Sequence, residues 1–442
     1  MTGYGSMMQR LRPFLEPRIL QYMAFRIFGM GMAYGVALLL ARWLGPAGFG
    51  SYSLAVMAIA LLAVPFGRGW STLVLRNAAA EGKKVIGGTT RRLISDGRLL
   101  SAAYVSVIGI GAAVSVAQGV FAWLPALLVL LAILTKQNSA FRLSLLRGKG
   151  FVKLNQVPEQ IVQPAVLTLL LGLIVLAGGV ELTWQIGLAC FVAGLVTSYI
   201  LGLALQRRVL RDMPWEPPAQ ESAINKANLS NAAVIGANGL MIALATQLDT
   251  YILGLFTDTA EVGIYRFAVQ FALLGSFVYS SLNYLAANEV AELWAKGDRQ
   301  QIQVLSRRYA LLSVAACLAF AAGLTVLGDW FIAGTVGPAY GAARDLVLIL
   351  MIGQTVAAAV GITGTILTMS GNERSFMRAT IFGLIASAII SVVMIPVAGA
   401  IGAAIANVVG VIVTNGFCLY QVIQRTGLNP SIFSHAKVGE PT

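Results

Sequence analysis

The chain has 442 residues, of which 57 % are hydrophobic and only 11 % charged, with a mean hydropathy of +0.78 and a formal net charge of +13. Soluble domains carry about 25 % charged residues, so a protein this apolar has too little polar surface for water and must be solvated mostly by lipid. The excess of cations does not point to nucleic acid, because they sit in short connections between apolar runs, with no basic helix or aromatic platform.

Residue types exclude several chemistries. Cys190, Cys317 and Cys418 all fall inside apolar runs without a CxxC pair, which makes them core residues rather than a disulfide framework. His435, in the C-terminal tail, is the only histidine. It leaves no histidine relay, HEXXH zinc site or Ser–His–Asp triad. No Walker motif occurs, so ATP is not the direct energy source. No catalytic residue, cofactor or metal is expected.

In chain order, residues 1–18 form a basic arm with Arg10, Arg12 and Arg18. The apolar run that follows is too long for a signal-peptide core and lacks a clear A-x-A site, so it reads as a signal-anchor helix. Cut at charged or Gly/Pro-rich breaks, the apolar segments are 19–41, 49–75, 98–117, 121–146, 157–178 and 183–205. After the break at 207–226 come 227–256, 262–288, 309–328, 340–369, 376–396 and 400–423. The expected fold is therefore an all-α integral membrane protein of about twelve transmembrane helices. It consists of a six-helix bundle over 19–206, a cytoplasmic linker over 207–226, a second six-helix bundle over 227–424 and a cytoplasmic tail over 425–442.

Charge supports that count. The connections on one side carry Arg76, Lys83, Lys84, Arg91, Arg92 and Arg98, then Arg142, Arg147, Lys149 and Lys153. They continue with Arg207, Arg208, Arg211 and Lys226, then Lys296, Arg299, Arg307 and Arg308, and finally Arg374 and Arg378. The opposite connections hold little beyond Arg42 and Arg344. The positive-inside rule then puts both termini in the cytoplasm of a bacterial inner membrane. The stretch Gly50–Val56 is echoed by Gly263–Val269, with Leu-Gly pairs upstream at Leu44-Gly45 and Leu253-Gly254. This echo suggests duplication, with a pseudo-two-fold axis along the membrane normal and a central cavity between two bundles.

A charge inside a span costs about 2.5–3.5 kcal/mol, so each asks for a reason. Arg26 and Arg68 each stand about 10 Å from the cytoplasmic end of their spans, with Lys136 slightly deeper. Any one of them can snorkel or pair structurally. Three together repel one another unless an anion joins them, and guanidinium groups suit phosphate oxygens. Asp249 and Arg266 lie towards the opposite ends of their spans, at heights compatible with an ion pair. Stripes flank these charges: Asn231, Asn238 and Asp249 in one span, and Arg266, Gln270, Phe277, Tyr284 and Asn288 in the next. Gln156, Glu159, Gln160 and Gln163 open the fifth span, where Pro158 suits a helix start and Glu159 reads as interfacial. Tyr22 stands one turn before Arg26. Gly29, Gly31 and Gly35 read as close helix packing, while Gly148-Lys149-Gly150 and Ser370-Gly371-Asn372 read as helix-end turns.

The run Leu38–Tyr52 (LLLARWLGPAGFGSY) resembles the signature between the first two helices of the polysaccharide biosynthesis protein family. That family comprises O-antigen-type flippases of the multidrug/oligosaccharidyl-lipid/polysaccharide exporter superfamily. Asp249–Gly254 leading to Val262–Tyr265, and Gly399–Ala406, are similar to the family's C-terminal half, so the resemblance runs from about residue 15 to 425. It implies a flippase moving undecaprenyl-pyrophosphate-linked oligosaccharide to the periplasmic leaflet by alternating access. Its partners would be that lipid, membrane lipid and the polymerase and glycosyltransferases of a surface polysaccharide. The cationic lumen of such proteins maps onto Arg26, Arg68, Lys136 and Arg266. Tyr22, Gln270 and Tyr284 complete the expected substrate site with Trp70, and Tyr34 and Tyr265 are further candidates to pack on sugar rings. Ion coupling or gating falls to Asp249. Two rivals stay open. A multidrug or organic-cation antiporter of the same superfamily needs more lumenal carboxylates than cations, and a membrane polymerase or ligase needs a large periplasmic loop.

Overall fold

A computed structural model describes residues 17–433, apart from 83, 84, 119–121, 179, 180 and 218 and the side chains of 17–28, 30, 152, 153 and 288. Most of the basic arm, His435 and the end of the tail lie outside the described residues. The helices are α1 (Pro17–Ala80), α2 (Gly88–Ala117), α3 (Trp123–Gly148), α4 (Val152–Val157), α5 (Gln163–Ala177), α6 (Trp184–Val209) and α7 (Lys226–Phe256). They continue as α8 (Thr259–Gly275), α9 (Phe277–Lys296), α10 (Arg299–Thr335), α11 (Ala343–Val360), α12 (Thr363–Met369) and α13 (Glu373–Thr426). Among the described residues, nine helices are long and apolar enough to cross a membrane, or ten if the bent pair α8–α9 makes one span.

Two of the nine are broken by a glycine. The 64 residues of α1 would reach about 96 Å if straight, far beyond a hydrocarbon core of about 30 Å, and they turn at Gly45 (φ 65°, ψ 177°). The 54 residues of α13 turn at Gly399 (φ 53°, ψ −129°). Left-handed φ is cheap only without a Cβ, so each glycine supplies a corner inside an apolar run. Glu261 stabilises the second corner by accepting the Ala400 N–H at 2.7 Å, while Asp258 caps the start of α8 by accepting the Glu261 N–H at 2.8 Å.

The chain packs as two compact units. The first comprises residues up to Leu40 and Ala55–Leu240, the second Ala41–Leu54 and Met241 onward. In the first, Trp70, Leu73, Val74, Phe141, Leu145 and Leu146 form a core with Ile86 and Leu93. The stretch expected as a linker is strapped onto this unit. The Ile86 N–H donates to Pro214 O, and the Glu216 and Ala219 N–H groups donate to Ile86 O and Gly88 O. Asp96 accepts from the Ser222 hydroxyl and the Ala223 N–H. Lys149, counted above with the loop cations, is buried instead. Its Nζ donates to Ala78 O at 2.8 Å and Gly82 O at 3.0 Å and pairs with Glu81 Oε2 at 3.3 Å. The carbonyls closing the second arm of α1 thereby gain a cation.

In the second unit, the corner after Gly45 lies against α8. A methyl group added at Gly50 would overlap the Thr259 carbonyl oxygen and stand 2.9 Å from Gly263 N, and one at Gly263 would stand 3.0 Å from Gly50 N. The two glycines of the sequence echo therefore meet each other. Tyr340, fully buried, donates its hydroxyl to Ala41 O at 3.0 Å, and Arg42 donates to Gly334 O and Thr335 O at 3.3 and 3.2 Å. Packing was expected at Gly29, Gly31 and Gly35. Among the described residues, Gly29 has it, against Gln160, whereas Gly31 and Gly35 have nothing within 4 Å of an added Cβ.

Candidate functional site

In the first unit, α1 carries Tyr22, Arg26, Arg68 and Trp70. The Tyr22 and Arg26 side chains lie outside the described residues. Arg68 is exposed although it sits in an apolar stretch, and its guanidinium makes no hydrogen bond or ion pair among the described residues. Its stem runs past Gly239, where an added Cβ would come within 2.6 Å of Arg68 Cδ. Trp70 corrects the expectation of a sugar-stacking face. It is fully buried, donates its indole N–H to Leu93 O at 2.7 Å and stacks on Phe66 at 5.9 Å. An aromatic of this size contributes most by filling the core.

Lys136 on α3 is half-buried, and Glu159 is the charged group within its electrostatic reach. Glu159, read above as interfacial, is exposed and also faces Lys136. It belongs to the π turn Pro158–Val162 between α4 and α5, and it accepts from Ser139 Oγ at 3.4 Å. The helix begins at Val152, not at Pro158. Proline has no N–H to give the preceding turn, and the extra residue of the π turn resets the faces of everything after it. Around this pair, Gln137 Nε2, Asn155 Oδ1 and Gln160 Oε1 are buried without a protein partner, while Gln137 Oε1 accepts from Ser101 at 2.6 Å. Buried polar atoms left this way are where a ligand or water completes the hydrogen bonding.

In the second unit, Asp249 is 4 % exposed and held by three residues. Oδ2 accepts from the Tyr265 hydroxyl at 2.6 Å and from Asn407 Nδ2 at 2.8 Å, and Oδ1 accepts from the Thr250 N–H at 2.6 Å and its hydroxyl at 3.2 Å. The ion pair expected with Arg266 is replaced by this hub. Arg266 lies within electrostatic reach of Asp249, Tyr265 and Tyr251 without a direct ion pair. Tyr265 is wholly buried by the hub and offers no face to a sugar. Asn407 was missed in the sequence, although an Asn in the run of small apolar residues after Gly399 is itself a signal of intramembrane function.

Arg266 Nε, Gln270 Oε1 and Tyr251 Oη are buried without a partner. Arg266 and Gln270 share a face of α8, one turn apart, so this patch repeats the under-satisfied character of the first unit. The longer stripe to Tyr284 is interrupted. The chain bends by 54° between α8 and α9, at Gly275-Ser276, a pair that commonly kinks helices. Tyr284, on the far side of the bend, is exposed, and the Asn288 side chain lies outside the described residues. On α7, Asn231 and Asn238 are exposed and Asp249 buried. Among the described residues, no group of His, Cys, Asp and Glu is placed to hold a metal ion. Asp249 is thus compensated by hydrogen-bond donors and Arg266, and Glu159 by Lys136. Among the described residues, Arg68 has no such partner.

The model of the polysaccharide biosynthesis protein family matches residues 18–287, more than half of the chain. Among curated proteins compared by sequence, none matches. Several solved structures share the architecture. A lipid II flippase MurJ in an inward closed conformation superposes with a TM-score of 0.70 at 13 % identity, covering 91 % of this chain and 87 % of that one. An inward-facing MATE multidrug resistance transporter of the MOP superfamily gives 0.66 at 14 % identity, over 89 % of this chain and 93 % of that one. A MOP superfamily transporter from Pyrococcus furiosus, described as having a binding pocket of reversed polarity, gives 0.58 at 14 % identity, over 91 % and 94 %. At these identities the likeness is one of fold. The chain belongs to the polysaccharide biosynthesis protein family and has the all-helical fold of MOP superfamily transporters and flippases.

Proposed function

We propose that this protein is a flippase for undecaprenyl-pyrophosphate-linked oligosaccharide, moving it from the cytoplasmic to the periplasmic leaflet of a bacterial inner membrane by alternating access. Twelve crossings are proposed: the two glycine-broken helices count as two each, and the bent pair α8–α9 as one. They form two six-helix bundles with both termini cytoplasmic. The observation that carries the reading is Arg68, a guanidinium in an apolar stretch with neither carboxylate nor hydrogen-bond acceptor among the described residues. An uncompensated cation at that depth is expensive unless an anion joins it. A pyrophosphate supplies two charges and several acceptor oxygens, which suit guanidinium donors. Arg26 is proposed as its partner from the first arm of α1, with Lys136, Tyr22, Arg266, Gln270 and Tyr284 lining the sugar path. Asp249 is proposed as the ion-coupling residue, because releasing its hub requires a proton or cation to take over the charge. The protein is proposed to work with the polymerase and glycosyltransferases of its polysaccharide, not as an enzyme itself.

The test is native mass spectrometry of the purified protein with undecaprenyl-pyrophosphate-oligosaccharide, the matching monophosphate and a cationic dye. Wild type should retain the pyrophosphate in preference to the other two, and the Arg26→Gln/Arg68→Gln double variant should lose that preference while remaining folded and inserted. Unchanged pyrophosphate binding by the double variant removes the site assignment. Dye binding without lipid selectivity favours the antiporter.

A further inference from the structure

A second cationic cluster lies in the first unit, away from Arg68 and Lys136, among α2, α3 and α6. Arg142 on α3 is 8 % exposed. Its Nη atoms donate to Gln206 Oε1 and the Tyr199 hydroxyl, both at 3.1 Å, and its Cζ stands 5.1 Å from the Tyr199 ring centroid. These contacts position the guanidinium but leave its charge uncancelled, and its Nε has no partner. Arg98 on α2 faces it within electrostatic reach, is exposed, and makes no hydrogen bond or ion pair among the described residues. The carboxylate nearest in sequence, Asp96, is already taken by Arg92, Ser222 and Ala223. Two cations facing each other without a protein anion repel, so the cluster is complete only with an anion from outside.

Its place in the fold says which anion. Arg98 sits at the margin of an exposed apolar arc of α2 that includes Leu99, Val107, Ile110 and Val114, a surface suited to acyl chains. Arg142 is six residues from the last residue of α3, about 9 Å along the axis, and Gln206 is one turn from the end of α6, which closes with Arg207 and Arg208. The pair therefore stands at the basic end of the helices, at the depth of a headgroup, beside lipid. We propose that Arg98 and Arg142 form a binding site for the phosphate of an anionic phospholipid. Arg142 supplies a fixed, buried positive charge beneath the site, Arg98 is the exposed cation that meets the phosphate, and the arc from Leu99 to Val114 takes the chains. The site is independent of the transported cargo.

The experiment uses the full-length protein in detergent and native mass spectrometry with phosphatidylglycerol, phosphatidylcholine and inorganic phosphate as separate probes. Phosphatidylglycerol should be retained over phosphatidylcholine. Arg98→Gln should weaken that retention about fivefold, the loss of one cation at a membrane surface, while Arg98→Lys keeps it and Arg147→Gln, at the exposed end of α3, leaves it unchanged. Equal retention by wild type and Arg98→Gln overturns the proposal, as does equal binding of the two lipids. Displacement of phosphatidylglycerol by millimolar phosphate overturns the lipid as the source. Arg142→Gln should behave as Arg98→Gln does; should it fail to fold, the Arg98 variants decide. Loss of cargo binding has no bearing on any of these readouts.

Discussion

The crossing of Gly50 and Gly263 gives a prediction with a built-in control. Replacing Gly50 by alanine places a methyl on the Thr259 carbonyl oxygen, and replacing Gly263 places one on Pro46 O. Both obstacles are backbone atoms, which have no rotamer to retreat to. Restoring an ordinary C···O separation of about 3.3 Å forces the elements apart by more than about 1 Å. Overpacking of this sort costs about 1–3 kcal/mol, against a gain of up to about 1 kcal/mol from alanine's helix propensity. The net result should be destabilising at both positions. The same substitution at Gly31 meets nothing within 4 Å, so only the propensity gain remains and the sign reverses. Apparent thermal midpoints of the three purified variants, followed by tryptophan fluorescence in one detergent, decide the matter. Gly50→Ala and Gly263→Ala should melt below wild type and Gly31→Ala at or above it. Equal shifts at all three positions would refute the crossing as the reason for the two glycines.

Two further outcomes follow from polar clusters. Burial pushes the Glu81 carboxyl up, but hydrogen bonds from Thr90, Gly87 and Lys149 outweigh it and hold the group below its ordinary value of 4.5. The stability from a depressed carboxylate is fully present above 4.5 and is lost as pH falls through the lower folded value. Melting midpoints should therefore drop below pH 4.5 in wild type, and Glu81→Gln should be less stable at neutral pH with a shallower acid slope; parallel curves would remove the latch. At Asp249, Tyr265→Phe deletes a hydrogen bond to a buried carboxylate and should cost about 1.5–3 kcal/mol. Asn407→Ala should act similarly, and the double variant less than additively. Full additivity in melting experiments would mean that the two donors do not share one hub.

The helices were legible because lipid imposes a single rule, a long apolar run with its backbone bonds closed internally. Most of the segments read from the sequence begin and end within several residues of observed helices or their glycine corners. The exceptions are 98–117 and 309–328, which each begin ten residues inside the longer α2 and α10, and 262–288, which stops eight residues short of the end of α9. What failed was information about neighbours. Gly31 and Gly50 are the same residue in similarly apolar surroundings, yet only Gly50 meets a backbone, because contact depends on an element more than two hundred residues away. Trp70 read as a ring free for sugar, whereas its indole finds Leu93 O inside the core. Lys149 read as a loop cation until the carbonyls of Ala78 and Gly82 closed over it. The stripe from Arg266 to Tyr284 assumed one straight helix across Gly275-Ser276, and the register around Glu159 assumed no π turn. Both errors come from extending a 3.6-residue period through a place where the backbone leaves it.

That corrected register bears on the rival function. A carrier of organic cations needs a carboxylate whose charge is not already used. Asp249 has four donor contacts from three residues, and Glu159 faces Lys136. Lys136→Gln would remove the compensation from Glu159 and leave the surrounding amides in place. A carboxylate deprived of its cation takes up either a proton or another cation, so the variant should gain affinity for a cationic dye, increasingly as pH rises and the proton ceases to compete. At pH 8 the gain should reach at least about tenfold over wild type, about 1.4 kcal/mol, measured by fluorescence anisotropy in detergent. The pyrophosphate lipid should meanwhile bind Lys136→Gln more weakly, since one cation of the path is gone. If wild type already binds the dye as tightly as the variant, Glu159 is not neutralised by Lys136. The charge balance that favours an anionic cargo then fails with it.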